Sequence, residues 1–314
     1  MTTVRNIALN GGRFAALAAA IAWTGAAQAD PRPQKDTTVG QVVVTARRLD
    51  QARDTIQPQT GASTYVINAK AIEAMPGGDN SQLNQVVLQA PGVAQDSYGQ
   101  LHIRGEHNGL QYRLNGVILP EGLAVFGQAL SPRLADRVTL ITGALPAQYG
   151  LRTAGVIDIT TKSGVQPGGS VSLYGGSHGE IEPSFEYAGH VGDTNLFVSG
   201  SFLTDQLGIE SPDGRSTPLH DRTDQAQGFA YLDRVIDPSS RVSVVLGVSD
   251  EKFQIPDLSG EPNGGLTAAG APYNVTGQIN YPSSQLNENQ TEQTEYGAVS
   301  YLHTTERLTA QASL

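Results

Sequence analysis

ADRVTLITGALPAQYGLRTAGVIDITTKSG, residues 135–164, is the stretch from which the rest of this 314-residue chain can be read. It contains two short β-branched apolar runs, Val138 to Thr142 and Val156 to Thr161. Between them lies a Gly/Pro/Tyr-Gly connection carrying Gly143, Pro146, Tyr149-Gly150 and Gly155. Short apolar runs bounded by glycine read as strands. The stretch therefore predicts two strands of a small sheet joined by an irregular link.

The same residues resemble the C-terminal half of the plug domain of TonB-dependent outer-membrane receptors. In that family a strand ending in glycine, a Tyr-Gly, a second glycine and an apolar strand ending in Thr-Lys close the plug. Here these are Gly143, Tyr149-Gly150, Gly155 and Thr161-Lys162. The family usually has Glu-Val where this chain has Thr139-Leu140, so one acidic position is missing. The resemblance implies an α+β plug domain followed by a transmembrane antiparallel β-barrel of about 22 strands with a plugged lumen.

Residues 1–29 read as an export signal. Arg5 and Arg13 give a positive start, Phe14 to Trp23 is apolar, and Ala27-Gln28-Ala29 is an A-x-A cleavage site. The apolar run is too short for a membrane helix, which needs about 20 residues. Without Arg5 and Arg13 the chain carries 18 basic against 30 acidic side chains, a balance of −12. Such a chain is unsuited to nucleic acid, whose affinity rests on Lys and Arg at phosphates. There is no cysteine, which excludes disulfides, thiolate zinc sites and iron–sulfur clusters. No later apolar run reaches the length of a membrane helix, so any spanning structure here must be a barrel.

Residues 30–55 read as a flexible arm, Pro- and charge-rich at its start. It contains Gln41, Val42, Val43, Val44, Thr45 and Ala46, followed by Arg47-Arg48. An extended segment in an arm is suited to strand addition onto another protein's sheet edge. The hexapeptide resembles the TonB box, and the resemblance implies TonB as partner, with ExbB and ExbD in the inner membrane.

Residues 56–165 read as the plug. Tyr65 to Ile67 is a strand, and Asn68 caps a helix over Ala69 to Ala74 that stops at Pro76-Gly77. A second helix presents Leu83, Val86 and Val87 on one face before Pro91-Gly92. Tyr112 to Leu119 is a hairpin, because Asn115-Gly116 tolerates the positive φ of a type I′ turn. Ser131 caps a short helix that begins with Pro132.

Residues 166–314 change texture and alternate with period two, the pattern of barrel strands. Phe185, Tyr187 and Val191 share one face, and Val242, Val244, Leu246 and Val248 share another. Phe229, Tyr231 and Val235 form a third apolar face, interrupted by Asp233, and all three faces are expected to meet lipid. Tight links at Gly192–Asn195, Asp237–Ser240 and Thr304–Arg307 alternate with long ones at Gln206–Asp224 and Ile255–Gln290. Short periplasmic turns and long outer loops alternate in this way in outer-membrane barrels. The count is six strands and the start of a seventh at Leu308 to Leu314. An open edge cannot sit in lipid, so an incomplete barrel and the front piece of a receptor are expected.

Other motifs are weaker. Gly175-Gly176-Ser177-His178-Gly179 fits G-x-S-x-G, but that elbow needs a helix after it, and a strand from Ile181 follows. His102 and His107 lack a completing carboxylate at a metal-site spacing. No catalytic residue, metal site or cofactor is expected.

The family resemblance implies upper plug loops that touch substrate. By position these carry Glu106, His107, Glu121, Phe126 and Gln128. Arg104 is expected to pair with barrel carboxylates. The reading is an exported, energy-coupled receptor of the Gram-negative outer membrane, taking up a scarce substrate such as a metal chelate. The alternatives are a truncated remnant that only binds TonB, and a secreted all-β adhesin or hydrolase.

Overall fold

The computed structural model describes residues 48–50, 62–96, 99–106, 109–120, 129–145, 149–150, 152–164, 167–207, 219–255, 267–268, 271–272 and 287–314. The export signal and the hexapeptide at 41–46 lie outside the described residues.

The first unit is built on a five-stranded sheet. Its strands are β1 (Ala62–Asn68), β4 (Leu110–Leu114), β5 (Val117–Ile118), β6 (Ala135–Gly143) and β7 (Gly155–Thr161), in the order β1-β6-β7-β4-β5. The two runs of the deciding stretch are β6 and β7, paired antiparallel with Val138 opposite Ile159 and Leu140 opposite Ile157. β7 lies in the middle of the sheet, parallel to β4. Val156, Ile157 and Ile159 are accordingly all buried, as a central strand covered on both faces requires. Gly155 is needed where β7 enters the sheet: a Cβ there would sit 3.0 Å from the Ile141 carbonyl.

Two short helices, α1 (Ala69–Glu73) and α2 (Leu83–Val87), pack Ile72, Leu83, Val86 and Val87 into the core of this unit. Asn68 caps α1, its Oδ1 accepting from the Ala71 amide at 2.9 Å. Ser131 accepts from the Arg133 amide at 3.2 Å and opens a 3-10 turn with Pro132 at its start. A small hairpin of β2 (Val93–Gln95) and β3 (Leu101–Ile103) completes the unit.

The second unit is a seven-stranded antiparallel sheet with strands in chain order. It comprises β8 (Gly168–Gly175), β9 (Ile181–Val191), β10 (Thr194–Asp205), β11 (Thr223–Asp237), β12 (Ser240–Gln254), β15 (Asn289–Thr304) and β16 (Thr309–Ser313). Strand ends fall where the alternation of tight and long links places them. Two small hairpins went unread in the sequence: β2–β3 in the first unit and one of β13 (Thr267–Ala268) and β14 (Ala271–Pro272) inside the long link after β12. Two or three residues per strand are too few to show periodicity. Among the described residues no helix is long and apolar enough to cross a membrane.

The faces of this sheet differ. Val171, Leu173, Phe185, Tyr187, Val191, Val299 and Tyr301 are exposed on the outer face. The opposite side chains point toward the first unit, and Glu182, Ser184, Asn195, Ser199 and Asp233 are buried there. One expectation is corrected. Phe229, Tyr231 and Val235 face inward, not toward lipid. Phe197 of β10, Tyr231 of β11 and Val245 of β12 form one lateral row by strand register. With Phe229 they join the same buried cluster as Leu134, Leu140 and Ile157 of the first unit. Period two shows that a strand has two faces, but which apolar face is covered depends on what docks against it.

Candidate functional site: the joint between plug and wall

The two units meet along the inner face of the seven-stranded sheet. Lys162 follows β7 and reaches Glu186 of β9, Nζ to Oε2 at 2.8 Å, with its ammonium 5.9 Å from the centre of the Phe197 ring. Asn115 and Gly116 form the turn between β4 and β5 with φ of 50° and 80°, as a type I′ turn demands. The Asn115 side chain accepts from the Thr161 amide at 3.0 Å and donates to Thr161 Oγ1 at 2.8 Å. Gln311 of β16 then donates to the Asn115 carbonyl at 3.1 Å, fastening the turn to the wall.

Within the first unit, a network is built around Arg133. Its guanidinium donates to Asp79 Oδ2 at 2.9 Å and Asn80 Oδ1 at 2.6 Å, tying the turn before β6 to the segment before α2. Beside it two crevices separate the units, of about 30 Å³ and about 10 Å³. The larger is lined mainly by polar side chains, including Asn80, Ser131, Glu182, Ser201, Gln225 and Gln227. A cavity of this size holds a water or two and no chelate. Within the plug, burial pushes the Tyr112 phenol above its ordinary range, so it stays neutral. Near the turn between β8 and β9, burial and then Asp205 push the Glu180 carboxyl up.

Of the residues expected to contact substrate, His107, Glu121, Phe126 and Gln128 lie outside the described residues. Glu106 is exposed in a tight turn, its amide donating to the Ile103 carbonyl at 3.0 Å. The ion pair expected of Arg104 is not formed among the described residues. Arg104 is exposed at φ 52°, its amide donating to the Gly92 carbonyl at 2.8 Å. The ion pair joining plug to wall is made by Lys162, which sequence reading used only as a motif end. His102 sits 3.1 Å from Asp96 within the plug hairpin. Among the described residues no cluster of three or more His, Cys, Asp or Glu could hold a metal ion. Gly175 to Gly179 is a turn between β8 and β9, not a strand-to-helix elbow.

The TonB-dependent Receptor Plug Domain family matches residues 57–157. No curated protein sequence matches the chain. Solved structures share its fold. The ferripyoverdine receptor of the outer membrane of Pseudomonas aeruginosa superposes with a TM-score of 0.56 at 15% identity, over 78% of this chain and 32% of that one. The copper transporter OprC gives 0.58 at 17% identity, over 82% and 37%. The siderophore receptor PirA from Pseudomonas aeruginosa gives 0.52 at 19% identity, over 82% and 41%. The chain thus spans about a third to two fifths of the length of these solved relatives. Both likenesses are of fold: a plug-domain match over residues 57–157, and an architecture shared with the receptor and transporter structures above.

Proposed function

From a chain that carries the plug domain of the TonB-dependent receptors, docked on the first strands of their barrel, we infer an energy-coupled importer of the Gram-negative outer membrane. Its substrate class is a scarce solute too large to diffuse through an open pore, such as a metal chelate of the siderophore type. The observation that carries this reading is the two-faced wall. Its outer face is an exposed apolar band, and its inner face, which mixes polar side chains with an apolar row at Phe197, Tyr231 and Val245, is covered by the plug.

The band fits inside the apolar thickness of a membrane. On β12 the outer positions are apolar from Val242 to Val248 and then turn polar at Asp250, Lys252 and Gln254. The stretch from Val242 to Val248 is about 20 Å of strand. At a tilt near 40° it gives about 15 Å of height, which fits within the roughly 25 Å apolar band of outer-membrane barrels. A plug seated inside such a wall blocks free passage, so passage needs work. In this reading TonB, driven with ExbB and ExbD by the inner-membrane proton-motive force, engages Gln41 to Ala46 by strand addition and displaces the plug.

The test is uptake of labelled ferric chelates by cells carrying the receptor gene, with and without TonB. The expected result is TonB-dependent uptake that Val43→Pro abolishes while surface binding persists, because proline removes a backbone donor from the added strand. Uptake that is indifferent to both changes overturns the reading.

A further inference from the structure

The arm before the plug is not free of the wall. Residues 48–50 are helical; Leu49 and Asp50 contact the inner side of the β11–β12–β15 sheet, and Arg48 contacts the β11–β12 turn. Leu49 is fully buried, 0% exposed, in a cluster with Val235 and Leu302. Asp50 Oδ1 accepts from Arg241 Nη1 at 2.7 Å, and the Arg241 side chain is itself 4% exposed. Arg48 Nη2 donates to the Pro238 carbonyl, in the tight turn between β11 and β12, at 3.0 Å.

By strand register, Val235, Arg241, Leu302 and Gln311 form one lateral row across β11, β12, β15 and β16. The arm occupies the first three positions of that row. The fourth, Gln311, holds the Asn115 turn of the plug. The row lies next to the tight β11–β12 turn, the periplasmic end of such a barrel.

We propose that residues 48–50 are a latch that anchors the arm to the barrel wall, so that traction on residues 41–46 loads the wall before it loads the plug. This rests on the receptor reading given above. Among the described residues, the first contacts behind the hexapeptide are on the barrel, and the first plug strand is β1 from Ala62. Traction reaches β1 once Leu49 leaves its pocket and Asp50 leaves Arg241. Arg241 is not left without a countercharge when that happens, because Asp233 also acts on it electrostatically. A buried ion with a second partner makes a latch that can open without stranding a charge. Because Gln311 belongs to the same row, strain on the latch is felt beside the Asn115 turn.

The absence of cysteine allows a unique spin label at Arg47→Cys, one residue before the anchor, in the full-length receptor in outer-membrane vesicles. The expected result is an immobilised label that becomes mobile with Leu49→Ser or Asp50→Ala. The double change Asp50→Arg with Arg241→Asp should restore immobility. Both single changes lie in the arm, so heat-modifiable mobility of the barrel checks that folding is intact. A label equally mobile in all variants overturns the latch.

Binding of the soluble C-terminal domain of TonB separates this from the receptor reading. If the latch leaves the arm competent a tenth of the time, releasing it strengthens binding about tenfold. A label that mobilises while the domain binds no variant keeps the latch and sinks the TonB reading. Equal binding by all variants with an unmoved label does the reverse.

Discussion

Lys162 Nζ, just past the last plug strand, lies 2.8 Å from Glu186 Oε2 on the barrel wall, with both side chains about a quarter exposed. It is a joint between two units, held by a pair only partly removed from water. A pair in that position contributes more than an exposed one, about 0.2–1 kcal/mol, and breaking it costs less than breaking a fully buried pair, about 3–5 kcal/mol. Lys162→Ala and Glu186→Gln should each loosen plug docking by about 1–2 kcal/mol. The double variant should fall well short of the sum. Hydrogen exchange of the β6 and β7 amides reads the effect, and simple additivity would rule out a direct coupling.

Asn115 joins three requirements in one residue: φ of 50°, two side-chain bonds to Thr161, and a carbonyl held by Gln311. Asn115→Gly keeps the backbone freedom and loses the side-chain bonds, costing about 1–3 kcal/mol. Asn115→Val adds strain at positive φ and should cost about 1–3 kcal/mol more. Denaturant titration of the plug signal should rank wild type, glycine and valine in that order. A valine variant as stable as the glycine one would show that the turn had refolded another way.

Gly247 and Tyr296 are register partners on β12 and β15. A Cβ on Gly247 would run into the ring's Cζ, so the ring lies directly over the missing side chain. Gly247→Ala should displace Tyr296 from the cluster it shares with the plug and cost about 1–3 kcal/mol. Tyr296→Ala leaves a hole in the same cluster, at about 3–5 kcal/mol for an aromatic. Combined, the two changes should hurt less than the sum, because alanine at 247 then meets no ring. The heat needed to unfold the barrel, read by gel mobility, checks the order.

The outer face of β12 allows a depth test. Val244→Arg, in the apolar band, should cost about 2–4 kcal/mol, whereas Asp250→Arg, beyond it, should cost about 0–1 kcal/mol. Folding titrations into lipid vesicles measure both. Equal costs would mean that the band between Val242 and Val248 does not face lipid.

Much of this architecture was legible before any coordinates. Period-two alternation, the Asn115-Gly116 turn and the alternation of tight and long links placed most strand ends of the seven-stranded sheet and the β4–β5 hairpin, because these are local signals carried by a few adjacent residues. Caps at Asn68 and Ser131 were readable for the same reason: each is a side chain answering an amide two or three residues away.

What tertiary structure decided was everything that depends on a partner distant in sequence. Phe229, Tyr231 and Val235 read as lipid-facing and in fact face inward, since alternation defines two faces and only the docked plug and arm say which is covered. Arg104 had the charge for an ion pair with the wall, but Lys162 has the position, because β7 delivers it to β9. Leu49 and Asp50 looked like part of a solvated arm. Their burial depends on Val235, Arg241 and Leu302, which lie side by side only once three strands have paired in register. Local hydrogen bonding and alternation are written along the chain, whereas burial and ion pairing arise from strands that meet across it.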